Sequence, residues 1–370
     1  MKQTNLSNRL YSLDALRGFD MLWIMGADRL FHALAKVSDN SIIQTMSFQL
    51  EHVAWNGFVA YDMIFPLFIF LAGVATPYSI GNALENGTPK NQLLFRVIKR
   101  GLILIILGVL YNNGGFQIKP LSEIRLPSVL GRIGSAYIFA NIIYLYAGKK
   151  AQKIWLASIL IGYWILLRFT SAPGFELGDM TMEGNFVSYV DRLLIPGRLH
   201  LTVHDPEGLL STIPAIGTGL LGILTGEVLK NHTATPSKKA MAIFIAGAIS
   251  VALAQLWNLV FPINKNLWTS SFTLQAGGWS MMLMAIFYYI IDVKGFQKWA
   301  YFFRIIGINS ILIYLSGAFI KWDYAAKEFF RWAEQLTGPP LDAVIAIVSI
   351  LIVKWIFLYI MYKKKIFLRI

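Results

Sequence analysis

Ten apolar stretches, each close to the ~20 residues a helix needs to cross a bilayer, leave this 370-residue chain few ways to fold. They lie near 13–35, 58–81, 98–113, 127–147, 154–171, 208–228, 240–261, 273–292, 301–320 and 341–362. A backbone in hydrocarbon must satisfy its own hydrogen bonds, and helices do so. The expected fold is therefore all-α, a polytopic membrane protein with about ten transmembrane helices in one bundle. Composition agrees. Only 14% of the residues are charged and 56% are hydrophobic, against roughly 25% charged in soluble domains. No Pro/Gly/Ser-rich linker, fixed-period repeat or low-complexity tract divides the stretches, so residues 1–370 read as one membrane domain.

The basic residues orient the bundle. One side of the alternation collects Lys2 and Arg9, then Lys90, Arg96, Lys99 and Arg100, then Lys149, Lys150 and Lys153. It continues with Lys230, Lys238 and Lys239, Lys294 and Lys298, and Lys363 to Lys365 with Arg369. The other side mixes fewer cations with Asp39, Glu51, Glu176, Asp179, Glu183, Asp191, Asp205 and Glu207. Both termini are then expected in the cytoplasm, and His52 and the 172–207 segment outside. The net charge of +13 reads as this positive-inside bias and not as nucleic-acid binding. Met1 to Asn8 is polar and the first apolar stretch carries Asp14, Arg17, Asp20, Asp28 and Arg29, which a cleavable signal would not tolerate. With no cysteine, thiolate chemistry, disulfides and Cys-ligated metals are excluded.

Chemistry enters with the polar groups inside or beside the spans. Gln49 to Pro66 runs from a polar cluster (Glu51, His52, Asn56, Asp62) into an apolar span. Were it helical, His52 and Asn56 would share a face. A His where a span meets water suits a general base, although an interfacial His that only satisfies a loop is equally compatible with the residues alone. Arg17 and Asp20 are three apart in the first span. Arg132 lies in the fourth, Asn309 and Ser310 are mid-span in the ninth, and Lys354 is in the inner half of the tenth. Ionisable groups at such depth usually face a cavity or a partner, and together these suggest a polar path between the two faces. The long outer segment 172–207 reads as a binding or lid element. His200, His204 and Asp205 allow a metal reading at i, i+4, but Asp205-Pro206 favours a turn, so a polar cap is preferred and no metal is expected. A proton-coupled transporter and a transmembrane group transferase both fit these facts.

Motifs decide between them. Arg9-Leu-Tyr-Ser-Leu-Asp-Ala-Leu-Arg-Gly18 resembles the opening signature of the heparan-alpha-glucosaminide N-acetyltransferase family of transmembrane acyltransferases. The resemblance continues in order through His52 to Asp62, Arg125 to Gly134, Tyr189 to Leu194, Asp205 to Leu210, Pro262 to Trp268, Asn309 to Tyr314 and Lys364 to Phe367. It is to a bacterial-type member without the animal proteins' lumenal domain, and it implies a multi-pass protein of a bacterial cytoplasmic membrane. By that resemblance the chain moves an acetyl group from cytosolic acetyl-CoA to the amine of a glucosamine-type sugar outside, and the family's active-site His falls on His52. Asn56, Asp62 and Asp28 are the accompanying catalytic candidates. Arg17, Lys99, Arg100, Arg132, Asn309, Ser310 and Lys354 are the candidates along the acetyl-CoA path, with Arg96 and Lys363 to Lys365 available for its phosphates. Asp28 departs from the family pattern, which has an Asn there, and the segment from Asp28 to His52 is longer, so the acceptor pocket is expected to differ. O-acyl transfer to glycan or cell-envelope hydroxyls is the alternative, and a small-molecule transporter the second. A homodimer is compatible with the sequence, which does not identify the oligomeric state.

Overall fold

The computed structural model describes residues 10–115, 117 and 119–368. Lys2, Arg9 and Arg369, counted above among the inner-face charges, lie outside them. Every regular element among the described residues is helical. Six helices are long and apolar enough to cross a membrane: Ala60–Glu85, Val129–Tyr146, Thr212–Lys230, Pro236–Asn258, Ser270–Val293 and Leu341–Lys363. A seventh is obtained if Ala300–Ile308 and Ser310–Phe319, bent by 63° about Asn309, count as one. The stretches expected near 13–35, 98–113 and 154–171 are helical too, as Tyr11–Leu22 with its continuation to Ala35, Lys90–Asn112 and Lys149–Arg168. None of these three is both long and apolar enough to be counted on those grounds alone.

Local chemistry sets several boundaries. Ser128 caps Val129–Tyr146 by accepting from the Gly131 N–H, and Asn40 caps Ser41–Gln49 by accepting from Ile42, the usual way to satisfy an unpaired donor at a helix start. The first span does not run straight. Gly26 takes φ +121° inside Trp23–Ala27, a left-handed conformation that favours glycine, and it interrupts the helix before Asp28.

Contacts divide the chain into two compact units. The first holds the described residues up to His52, then Val59–Ile64 and Ile286 onward to the end of the described chain; the second holds Val53–Phe58 and Phe65–Ala285. In the first unit, Tyr11–Leu22 packs on Ala300–Ile308 through glycine. A Cβ on Gly18 would strike the Phe303 carbonyl, and one on Gly307 the Asp14 carbonyl. Small residues let helix backbones approach this closely where no hydrophobic effect drives helices together. Ala15, Leu16, Ile305 and Ile306 are fully buried at that contact. Trp322–Thr337 packs on Leu341–Lys363, with the Trp322 and Phe357 rings 5.4 Å apart.

In the second unit, Thr212–Lys230 is the central helix and contacts Val129–Tyr146, Lys149–Arg168 and Pro236–Asn258. Its Gly222 lies against the Phe70 carbonyl with no room for a Cβ. The core around it contains Phe65, Ile69, Ala136, Ala215, Trp268, Phe272 and Ala276. Trp268 crosses both Phe65 and Phe272 edge to face at 5.0 and 5.2 Å, the preferred aromatic geometry.

Candidate active site

The stretch around His52 is not a helix. Ser41–Gln49 ends at Leu50, and the next regular element is the short 3-10 turn Ala60–Met63 that begins the Ala60–Glu85 span. Gly57 at φ +126° is the residue that lets the connection turn back. His52 and Asn56 are therefore not stacked on one helix face. The bend brings together two residues ten apart instead: His52 Nδ1 lies 2.9 Å from Asp62 Oδ1. Asp62 is fully buried, while about half of the His52 side chain, 54%, is open to solvent.

Asp62 is fixed from two directions. It sits in the first turn of its helix, and its second oxygen accepts the Val59 N–H at 3.3 Å, the reach-back half of a capping box. An ionised carboxylate only accepts hydrogen bonds. Nδ1 is then the donor, and the basic lone pair of neutral His52 resides on Nε2. A buried acid beside an oriented, half-exposed imidazole is the arrangement a general base would use.

A second pair adjoins the first. The Tyr61 ring lies 4.7 Å from the imidazole, centroid to centroid, and its hydroxyl donates to Asp28 Oδ2 at 3.0 Å. Asp28 opens the helix that follows the Gly26 break. That break frees carbonyls, and Lys354 Nζ donates to the one of Met25 at 2.7 Å. The Lys354 ammonium experiences the charges of Arg29, Asp323 and Asp28. The first unit thus holds a contacting polar group, His52 with Asp62, Tyr61 and Asp28, with Lys354 within electrostatic range of Asp28, Arg29 and Asp323. Sequence reasoning singled out His52, Asp62, Asp28 and Lys354. It missed Tyr61, whose partner is 33 residues away in the chain.

The remaining first-unit candidates have other contacts. Arg17 makes an ion pair with Asp14 at 3.7 Å, whereas the buried Asp20 Oδ2 has no hydrogen-bond partner. Asn309, buried at the 63° bend, donates to the Ile366 carbonyl at 3.0 Å and accepts from the Leu368 N–H at 3.1 Å. It ties the tail to the bend, and Ser310 begins the next helix.

In the second unit, Asn56 Oδ1 accepts from Asn264 Nδ2 at 2.9 Å. Lys99 and Arg96 edge an exposed hollow with Asn91, Gln92 and Phe95. Arg100 lies over the Tyr137 ring at 4.8 Å. Buried Arg132 reaches Ser211 Oγ and the Gly208 carbonyl and stacks over Trp268 at 4.9 Å. The outer segment is stapled close by: Arg125 grips Asp205 in a two-pronged pair at 2.8 and 2.7 Å and also bonds Glu207. Burial pushes the Asp205 carboxyl up, but Arg125 and the His200 and Glu207 amides outweigh it and hold the group below its ordinary range.

His204 is enclosed, and its buried Nε2 has no hydrogen-bond partner. Its Nδ1 meets Ser188 Oγ at 2.8 Å, its ring crosses Trp55 at 5.4 Å, and burial depresses its pKa to about 4. Among the described residues no three His, Asp or Glu side chains are placed to share a metal ion. Asp191, in Phe186–Leu194, accepts from the Leu209 N–H at 2.9 Å, and burial raises its pKa to about 6.

No protein-family profile matches the chain. Two curated relatives are similar to it. The heparan-alpha-glucosaminide N-acetyltransferase of Homo sapiens is 29% identical over 380 aligned residues, covering 86% of this chain and 56% of that protein. The Mus musculus protein of the same name is 29% identical over 375 residues, with the same coverage. The chain spans a little over half the length of these relatives.

Proposed function

We propose, from its similarity to two heparan-alpha-glucosaminide N-acetyltransferases, that this chain is a membrane-embedded acetyltransferase. Its donor is acetyl-CoA from the cytosol and its acceptor the amine of a glucosamine-type sugar at the outer face. The whole chain acts as one transmembrane catalytic domain, in a bacterial cytoplasmic membrane. The observation that carries the reading is the His52–Asp62 pair: an accessible imidazole held at 2.9 Å by a fully buried carboxylate, inside one of the family-like sequence blocks.

The chemistry follows from those atoms. An amino sugar is largely protonated at neutral pH and must lose a proton before it can attack. His52 Nε2 takes that proton, and the imidazolium is stabilised by Asp62 through Nδ1–H. Nitrogen attacks the thioester carbonyl, the C–N bond forms and the C–S bond breaks. The departing thiolate recovers the proton from His52, and the attacking nitrogen gives up its second proton to water as the tetrahedral intermediate collapses to the neutral amide. Alternatively Nε2 attacks first, carries the acetyl group and passes it on. The phosphates of CoA call for cations. Arg96 and Lys99, side by side at an exposed hollow of the second unit, provide them on the face expected to be cytoplasmic.

The test is acetyl transfer from labelled acetyl-CoA to glucosamine by purified protein. The expected product is an alkali-stable amide whose formation requires His52. An alkali-labile ester would point to hydroxyl acceptors, and absence of both CoA release and product across a panel of amine and hydroxyl sugars would sink the enzymatic reading.

A further inference from the structure

Trp322–Thr337 contains Asp323, Lys327, Glu328, Arg331 and Glu334, which hides it from any search for apolar spans. Its position beside the last span indicates otherwise. The Trp322 ring packs on Phe357, sixteen residues into Leu341–Lys363, or about 24 Å from that span's outer end at 1.5 Å per residue. Sixteen residues of Trp322–Thr337 rise by the same ~24 Å, and the two helices, joined through residues 338–340, pack on each other. The charged helix therefore runs alongside the apolar one through the outer part of the bilayer. Ser310–Phe319 precedes it, starting beside the tail residues Ile366 and Leu368 that Asn309 holds. The backbone leaves helical geometry at Ile320 and Lys321.

Three stripes run along Trp322–Thr337. Trp322, Ala326, Phe330 and Ala333 are buried or half-buried. Phe329, Trp332 and Leu336 are apolar and 69%, 62% and 77% exposed. Asp323, Lys327, Glu328, Arg331 and Glu334 form the third stripe. At bilayer depth the exposed apolar stripe suits lipid, whereas charges there face water or a polar partner. Two features point to where the charged stripe leads. Asp323 acts electrostatically on Lys354, which is in turn within electrostatic range of Asp28 in the polar group around His52. Glu334 Oε1, one turn from the outer end, is buried without a hydrogen-bond partner.

We propose that Ser310–Phe319 and Trp322–Thr337 form one broken crossing, and that the charged stripe of its outer half lines a water-filled passage by which a hydrophilic, hydroxyl- and amine-bearing substrate descends from the outer face toward Lys354. Only the naming of that substrate rests on the acetyltransferase reading.

The absence of cysteine makes each introduced thiol unique, so a cysteine scan of residues 323–336 in sealed proteoliposomes tests the passage. A membrane-impermeant thiol reagent applied outside is expected to modify Lys327→Cys, Glu328→Cys and Arg331→Cys at least ~10-fold faster than Phe329→Cys, Trp332→Cys and Leu336→Cys. The latter three should instead be reached by a lipid-soluble maleimide. Uniform fast modification would place the helix in water and overturn the proposal. So would disulfide-linked dimers at Leu336→Cys, which would put a second copy on the apolar stripe. Folded yield, read by size exclusion, selects the variants compared. In variants active before labelling, a bulky adduct at Arg331→Cys is expected to slow acetyl transfer at least ~10-fold, and unchanged transfer would remove the substrate from the passage. Loss of transfer in unlabelled wild type would instead bear on the activity itself.

Discussion

The first unit's His52 and the second unit's Arg125 are both polar residues in non-helical connections, each engaging a fully buried Asp, yet they are put to different ends. Arg125 is only 12% exposed and is held by its partners: Asp205 takes Nε and Nη2, Glu207 shares Nη2, and the His200 and Glu207 amides complete the Asp205 carboxylate. His52 keeps about half its side chain in solvent while the buried Asp62 orients it through Nδ1. A paired cluster closed off from water fixes geometry, whereas a group proposed as a base must be oriented and still reachable. His204 differs from His52 by being fully buried against Ser188 and Trp55.

The sharpest way to break that comparison is to remove each group and read both activity and stability. His52→Ala should lower acetyl transfer by about 10²–10⁴-fold, the range for a general base, while thermal unfolding in detergent changes little because the side chain is half in water. Asp62→Asn should lower it by about 10²-fold or more through loss of the orienting acceptor. An active His52→Ala protein would end the assignment of the base. Labelled acetyl retained by wild type without acceptor, and absent from His52→Ala, would select the covalent route.

Arg125→Met should do the reverse. It strands a fully buried carboxylate, a change that typically destabilises by about 3–5 kcal/mol, so the thermal midpoint should fall markedly. Activity per folded molecule should stay within about threefold. Pairing it with Asp205→Asn should recover part of the stability. A stable but inactive Arg125→Met protein would move the cluster from scaffold to catalysis.

Hydropathy made the helices legible because each span satisfies its own backbone and carries its own apolar residues, and the candidacy of His52 came from its motif. Three features could not be read from the sequence. The His52–Asp62 contact depends on a backbone turn at Gly57 that spacing alone does not announce. Arg125 and Asp205 are 80 residues apart, so only the tertiary fold pairs them. Asn309 looked like part of a polar path, yet it marks a 63° bend and holds the tail. Trp322–Thr337 was passed over because its charged stripe lowers its mean hydropathy, although Phe329, Trp332 and Leu336 form an exposed apolar stripe along it.

Tyr61 offers a finer test of where the open site ends. Tyr61→Phe keeps the ring beside His52 and removes the hydroxyl that Asp28 accepts from. If Asp28 and Tyr61 position the acceptor, transfer should fall by about tenfold, some 1.4 kcal/mol, chiefly as a raised KM for the sugar with acetyl-CoA binding unchanged. A fall in stability alone, with KM and kcat intact, would reduce the pair to a structural hydrogen bond.

The smallest effect is expected in the saturated region, where two shifts oppose each other. Asp191 is raised by burial to about 6 from an ordinary 3.8. Its native form holds the proton more tightly, so its contribution is full below pH 3.8 and is lost as pH rises through 6. The 2.2-unit difference corresponds to about 3 kcal/mol. His204 is lowered by burial to about 4 from 6.5. Its unfolded form binds the proton more tightly, so stability rises between pH 4 and 6.5 by about 3 kcal/mol. The two slopes nearly cancel, and the wild-type stability profile between pH 4 and 6 should be almost flat as far as these groups set it. Asp191→Asn should uncover the His204 slope, with the thermal midpoint climbing from pH 4 to 6.5, and His204→Gln should uncover the opposite fall. Identical profiles for wild type and both variants would mean that neither group changes its proton affinity on folding, and the cap would then owe its closure to Arg125 alone.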